Sequence, residues 1–229
     1  MLTDVEIEAL GLSLKVAVVA TAAVLPIAIA TAFWLTRHDF RGKLIVDTLI
    51  HIPLVVPPVV VGYILLVSLA PTSALGNWLA EVGLSPAFKW QGAAIASGVM
   101  AFPLMVRSIR QAFEAEPTAY RDVAATLSIS RWAQFRRISL PMAYTGILSG
   151  AVLGFARAIG EFGATITFAA NIPGLTQTLP LALYSAAQSP GGESAAARLA
   201  FLCLIPALAS LAASEWLTRR ARRKMGGQP

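Results

Sequence analysis

Arg157 and Glu161 form the most chemically pointed pair in this sequence. They stand in Phe155-Ala-Arg-Ala-Ile-Gly-Glu-Phe-Gly-Ala-Thr165, at the end of an apolar run, and a helix places residues four apart on one face. Ionisable groups in such a setting are costly and usually face a bundle interior. One reading is that the two simply pair with each other. The other is that Arg157 attracts an oxyanion in transit, with Gly160 and Gly163 letting backbones approach to form an outer gate. Glu161 would cancel much of that attraction, so a weak, transient path fits better than a tight pocket. Other chemistry is scarce. His38, His51 and Cys203 do not stand at ligand spacing, so no metal site is expected. No Gly-x-x-x-x-Gly-Lys-Ser/Thr loop for cradling phosphates occurs, and no residue is assigned a catalytic role.

A second feature is the arginine-rich island Asp122–Pro141 between long apolar runs. Pro117 suits a first helical turn, and Glu114 and Glu116 stand near its positive end. A helix over Pro117–Leu127 would carry Val123, Ala124 and Leu127 on one side. Ser128 and Ser130 interrupt it, and Arg131 opens a second helix running to Leu140-Pro141. A short amphipathic helix can fill a groove on a partner protein or lie on lipid headgroups. Alanines in place of bulky anchors, and the fixed spacing to Leu140-Pro141, favour the groove. The third feature is the proline series Pro53, Pro57 and Pro58. Each removes a backbone hydrogen bond and clashes one turn back, so a broken or kinked helix is expected. Such breaks line pathways in transporters, or merely shape packing. His51 is placed near the cytoplasmic end of this helix.

The elements that carry these residues follow from hydropathy. Of the 229 residues, 56% are apolar and 13% charged, with a mean hydropathy of +0.68, which is high for a soluble domain. A bilayer core about 30 Å thick needs roughly 20 apolar residues per helix. Five stretches qualify: 10–35, 44–70, 92–109, 142–159 and 195–217. The first is read as a retained helix and not a signal segment. The single cysteine forbids an intrachain disulfide and leaves the redox compartment open.

Basic residues orient the spans. Arg37, Arg41 and Lys43 follow the first; Arg107, Arg110, Arg121, Arg131, Arg136 and Arg137 separate the third and fourth; Arg219, Arg220, Arg222, Arg223 and Lys224 follow the fifth. These fourteen of 18 basic residues fall on one side, which the positive-inside rule makes cytoplasmic. The N-terminus is then outside and the C-terminus inside. The net charge of +6 reports topology rather than nucleic-acid binding.

Segment 161–193 tests this count. It is fairly apolar, but Pro173-Gly174, Pro180, Asn171 and Gln177 interrupt it. A sixth span there would put the basic tail outside. We read it as an external loop dipping toward a pathway, with a short helix near Leu179–Ala187. Irregular backbone at membrane depth must be buried in protein or line water.

The island resembles the "EAA" loop of permease subunits in bacterial ABC importers. Asp122-Val123-Ala124 stands for Glu-Ala-Ala, and Ser128 for the usual glycine. Ser128 lacks glycine's freedom at positive φ, which leaves the turn geometry open. Nearly the whole chain resembles the permeases of molybdate ABC importers, through Pro53–Tyr63, Ala101–Arg107 and above all Phe155–Pro180. The resemblance implies an all-α, five-helix type I importer permease in the bacterial inner membrane. It implies that 114–141 couples to a separate ATPase, through Pro117, Asp122, Val123, Ala124, Leu127, Ser128, Ser130, Arg131, Leu140 and Pro141. It also implies a second copy of the chain, an ATPase dimer holding ATP-Mg, and a periplasmic oxyanion-binding protein, with no cofactor in this chain. Sulfate/thiosulfate and tungstate permeases are the nearest alternatives. A secondary transporter or channel, and a cofactor-binding membrane anchor, are distant ones, because no internal repeat or ligand pair supports them.

Overall fold

A computed structural model describes residues 2–224, all helical or connecting with no strand among them. The side chains of Arg121, Arg220, Arg222, Arg223 and Lys224, counted above among the basic clusters, lie outside what is described. The helices are α1 (Asp4–Arg37), α2 (Lys43–Val55), α3 (Pro58–Leu69), α4 (Ala74–Glu81), α5 (Trp90–Glu114), α6 (Thr118–Thr126) and α7 (Arg131–Gln134). A π turn (Phe135–Ser139) leads into α8 (Leu140–Met142), followed by α9 (Tyr144–Ile159), α10 (Gly163–Phe168), α11 (Leu179–Gln188) and α12 (Glu193–Lys224).

The centre is a three-helix stack of α1, α5 and α9. Small residues let α1 and α5 run side by side in the same direction: Ala17 and Ala20 meet Ala93 and Ala94 near one end. Ala28, Ala32 and Leu35 meet Ala101, Ile109 and Phe113 near the other. α9 runs the opposite way, with Ala143 at the Phe113 end and Ala158 at the Ala93 end. Its contact with α5 is a glycine stripe at helical spacing, Gly146, Gly150 and Gly154. An added methyl would stand 2.3 Å from Ala112 Cβ, 3.1 Å from Ile109 Cγ1 and 2.6 Å from Met105 Sδ, respectively. Between helices in lipid, such small faces supply the packing that the hydrophobic effect cannot.

α12 lies outside the stack. Arg198 bonds Glu6 near one end (3.0 Å) and Ser214 meets Ser149 farther along (3.1 Å), so α12 runs parallel to α1. Its outer face, Phe201, Leu204, Leu208 and Leu211, is exposed. At the other turn of the chain, Lys43 donates to Asp39 (2.8 Å), and that bond holds the Asp39 carboxyl below its usual pKa.

Among the described residues three helices are unbroken and apolar enough to cross a membrane: Asp4–Arg37, Trp90–Glu114 and Glu193–Trp216. The second expected span is a bent pair, and the fourth is α9, which a bend joins to the end of the island. α2 and α3 meet at 111° across Val56-Pro57, where two prolines in sequence leave the ladder without donors. Within 142–159, α9 starts at Tyr144, after a 67° bend from the helical stretch Arg131–Met142. Pro141 has no N–H for the Arg137 carbonyl, and the ladder slips before it, Leu140 donating to Phe135.

Candidate coupling and pathway sites

The island projects from the end of the stack where α1 and α5 finish. Pro117 is the N-cap of α6 rather than its first helical residue, with an extended backbone. Along α6, Ala124 is buried while Tyr120, Val123 and Leu127 are exposed, at 53%, 58% and 67%. The expected apolar side is therefore split: Ala124 turns toward the protein, and the other residues form an outward ridge that Tyr120 extends. Asp122 is exposed beside it. Trp132, 68% exposed, stacks on Phe135 with ring centroids 5.4 Å apart and continues the apolar surface.

Ser128 closes α6. Its φ is +55°, the left-handed region that glycine favours. Ser128 N–H donates to the Ala125 carbonyl and Ile129 N–H to the Ala124 carbonyl, each at 3.0 Å. That pair of bonds is a Schellman closure, which consumes two carbonyls that the helix end would otherwise leave open. Serine thus takes the turn geometry usual for glycine, at a conformational cost of about 1–2 kcal/mol. Ser130 then caps α7, its Oγ accepting from Ala133 N–H (3.3 Å). Arg131 opens α7, and Leu140 and Pro141 end up in α8.

At the far end, Arg157 Nη1 pairs with Glu161 Oε2 at 2.5 Å. The Glu161 side chain is 1% exposed and that of Arg157 26%. Glu161 has a second duty: its Oε1 accepts from Ala164 N–H (2.8 Å), at the start of α10. A carboxylate there faces the positive end of the helix. Both carboxylate oxygens are therefore occupied, and the pair joins α9 to α10. The two glycines differ. A methyl on Gly163 would stand 2.8 Å from Pro58 Cβ, a true close approach to the broken second span. Gly160 has no such contact, its nearest neighbour being the Ala156 carbonyl at 3.8 Å, and its φ is −91°. Within this chain no backbone closes on Gly160, which ends α9 with an exposed face.

Segment 161–193 carries two helices rather than one. α11 is the expected one, and α10 is additional, its Gly163, Ala164, Thr165 and Phe168 buried between α3 and α5. A methyl on Gly62 of α3 would stand 2.6 Å from the Ala164 carbonyl. The turn between α10 and α11 is held by its own polar groups. Gln177 Nε2 donates to Asn171 Oδ1 (3.0 Å), and Asn171 Nδ2 to Ser185 Oγ (2.8 Å). Ser13 of α1 accepts from Leu179 N–H (2.6 Å). The turn is only partly enclosed: Thr176–Leu179 are buried, whereas Ile172–Leu175 are exposed and turn back on the Ile172 carbonyl, which accepts from Leu175, Thr176 and Gln177 N–H.

Pro53 lies within α2, Pro57 caps α3 and Pro58 is its first residue. His51 and Asp47 of α2 face Arg107, Arg110, Gln111 and Glu114 of α5 across a polar hollow of about 320 Å³. Arg110 bridges the helices, with Nη1 to Asp47 (2.8 Å) and Nε to Glu114 (2.7 Å). Among the described residues no group of three or more His, Cys, Asp or Glu could hold a metal ion.

Comparison with known proteins decides what this architecture is. Residues 24–223 match the family described as "Binding-protein-dependent transport system inner membrane component". The chain belongs to that family. Among relatives of this transport component, the molybdenum transport system permease ModB of Escherichia coli (strain K12) is 49% identical over 227 residues, covering 99% of each chain. ModB of Haemophilus influenzae is 49% identical over 222 residues, covering 96% of this chain and 97% of its own. The sulfate transport system permease CysW of E. coli is 34% identical over 202 residues, covering 87% and 69%. In three dimensions, a chain of the MetNI methionine ABC transporter, solved in inward-facing conformations, matches with a TM-score of 0.74 at 15% identity, over 96% of this chain and 99% of its own. The fold is therefore that of an ABC importer permease.

Sequence reasoning about this transport component missed Tyr120 and Trp132 as part of the outward ridge. An aromatic count along the island could have found them, since both stand at helical spacing from Val123 and Leu127 or just beyond the turn. The Asp47–Arg110 bridge carried no sequence signal, its partners being 63 residues apart.

Proposed function

We propose that this chain is the membrane-spanning permease subunit of an ATP-driven importer that moves molybdate into bacterial cells by alternating access. The observation that carries the reading is the end-to-end 49% identity to two molybdenum permeases, against 34% to the sulfate permease. The geometry supports the same reading. A short helix outside the stack offers an apolar ridge to a protein groove. The N-terminus is outside and the C-terminus inside, because α1, α5 and α12 run one way and gather Arg37, Arg110, Arg131 and Arg219 at one end. Five crossings follow if each bent pair counts as one.

Two copies of the chain form the pathway, with α2, α3 and α10 facing it. Arg157, Gly163 and the proline break belong to its outer gate. A separate ATPase dimer binds ATP-Mg and docks on Val123, Leu127 and their neighbours. A periplasmic protein delivers the oxyanion, and this chain hydrolyses nothing. ATPase closure pushes the island, and the push travels into the spans as a two-state change.

The test is uptake of labelled molybdate at nanomolar to micromolar levels in cells with and without the gene. Uptake that disappears, returns with the gene, and is competed by tungstate but not sulfate is the expected result. Retained molybdate uptake with lost sulfate uptake would move the substrate to the sulfate branch. Leu127→Glu should abolish uptake while the chain remains in the membrane.

A further inference from the structure

Arg37, the last residue of α1, reaches across to both roots of the island. Its Nη2 bonds the carboxylate of Glu116, one residue before the island's first helix is capped, and donates to Ser139 Oγ in the π turn at 2.8 Å. The two acceptors are 23 residues apart in sequence but share one nitrogen. Both are buried, with the Glu116 side chain 1% exposed and Ser139 2%. Glu116 Oε1 is also buried and has no hydrogen-bond partner among the described residues, so Arg37 is the carboxylate's sole described counter-charge. Under the guanidinium, at 5.3 Å, is the ring of Phe33. Phe33 meets Phe113 edge-on at 5.3 Å and Phe135 at 4.6 Å, so aromatic packing repeats the same three-way junction.

We propose that Arg37 is a positioning residue that clamps both roots of the island to the end of α1, so that island and α1 move as one body. A buried ion pair adds little net stability over apolar residues of the same volume; what it adds is a fixed geometry with a steep penalty for partial loss. Without the clamp the island could pivot at Ala115–Pro117 and at the π turn, and a push on its ridge would be absorbed there. With it, the push reaches α1 directly as well as α5 and α9. This inference rests on the coupling role proposed above for the island.

Because a single nitrogen makes both bonds, an ammonium can stand in for it. Arg37→Lys should therefore retain function and Arg37→Met should not. The experiment uses the chain with its ATPase and binding protein in lipid vesicles. ATP hydrolysed per molybdate moved is the first readout. Arg37→Met should raise it severalfold, with Arg37→Lys close to the parent. A purely structural loss would lower hydrolysis and transport together and leave the ratio unchanged, which would overturn the clamp. The second readout is a spin-label distance between Arg41→Cys and Ala125→Cys in a Cys203→Ser background, in lipid discs. A narrow distribution should broaden in Arg37→Met and narrow again in Arg37→Lys; an unchanged width overturns the proposal. If the parent complex hydrolyses ATP but carries no molybdate, the substrate reading fails while the distance measurement still decides the clamp.

Discussion

At the scale of residues, two positions hold conformations or charges that need support. Ser128 occupies the left-handed region to complete the Schellman closure of α6. Ser128→Gly should relieve that cost and, after the extra entropy of an unfolded glycine, stabilise the island by roughly 1 kcal/mol. Slower amide exchange at Ala125–Ile129 would register it; unchanged exchange would mean the serine is unstrained. Arg157→Ala leaves Glu161 buried with only the Ala164 N–H for company. Breaking such a pair by removing one partner costs about 3–5 kcal/mol, whereas apolar replacement of both is near neutral. Yield of folded protein should therefore fall in Arg157→Ala and recover in Arg157→Leu/Glu161→Leu. Uptake separates the two roles: if it stays low in the recovered double variant, Arg157 serves the path, and if it returns, the pair is a joint between α9 and α10. The spacing of four made this pair readable in advance. The second bond of Glu161 was not, because it goes to a helix that the sequence did not announce.

At the scale of elements, the glycine stripe of α9 is the tightest joint in the stack. Gly150→Leu would drive a side chain into Ile109 and the Met105 carbonyl, 3.1 and 3.3 Å from where its Cβ would begin. Overpacking of this kind costs about 1–3 kcal/mol, and a lowered melting temperature in detergent would report it; an unaltered melt would mean α9 and α5 can separate freely. Long apolar runs gave α1, α5 and α12 away, since lipid length and hydropathy alone specify them. Prolines signalled the break in the second span but not its 111° angle, which depends on what α3 packs against. α10 escaped notice because six residues are too few for a periodic pattern, and Gly163 looked like a breaker rather than a contact. The island's turn was equally open, since serine at a glycine position can end a helix in more than one way.

At the scale of the whole molecule, charge and direction agree: the ends of α1, α5 and α12 gather the basic residues, and the ridge of α6 emerges there. A reporter active only outside the cytoplasm should stay silent when fused after Pro229, and activity would reverse the orientation of the entire stack. The broken second span carries a consequence for how the chain is made. At 13 and 12 residues, α2 and α3 extend about 20 and 18 Å, too short singly for a bilayer core of about 30 Å. The contacts that seat α3 at its angle, Gly62 on Ala164 and Pro58 on Gly163, belong to a helix about a hundred residues later. At roughly 5–20 residues per second of synthesis, α3 waits about 5–20 s for the surface it rests on. A ribosome-bound chain ending before Gly163 should therefore hold this segment in a different pose from the finished protein, the bend being a late addition to a helix pair already in the bilayer.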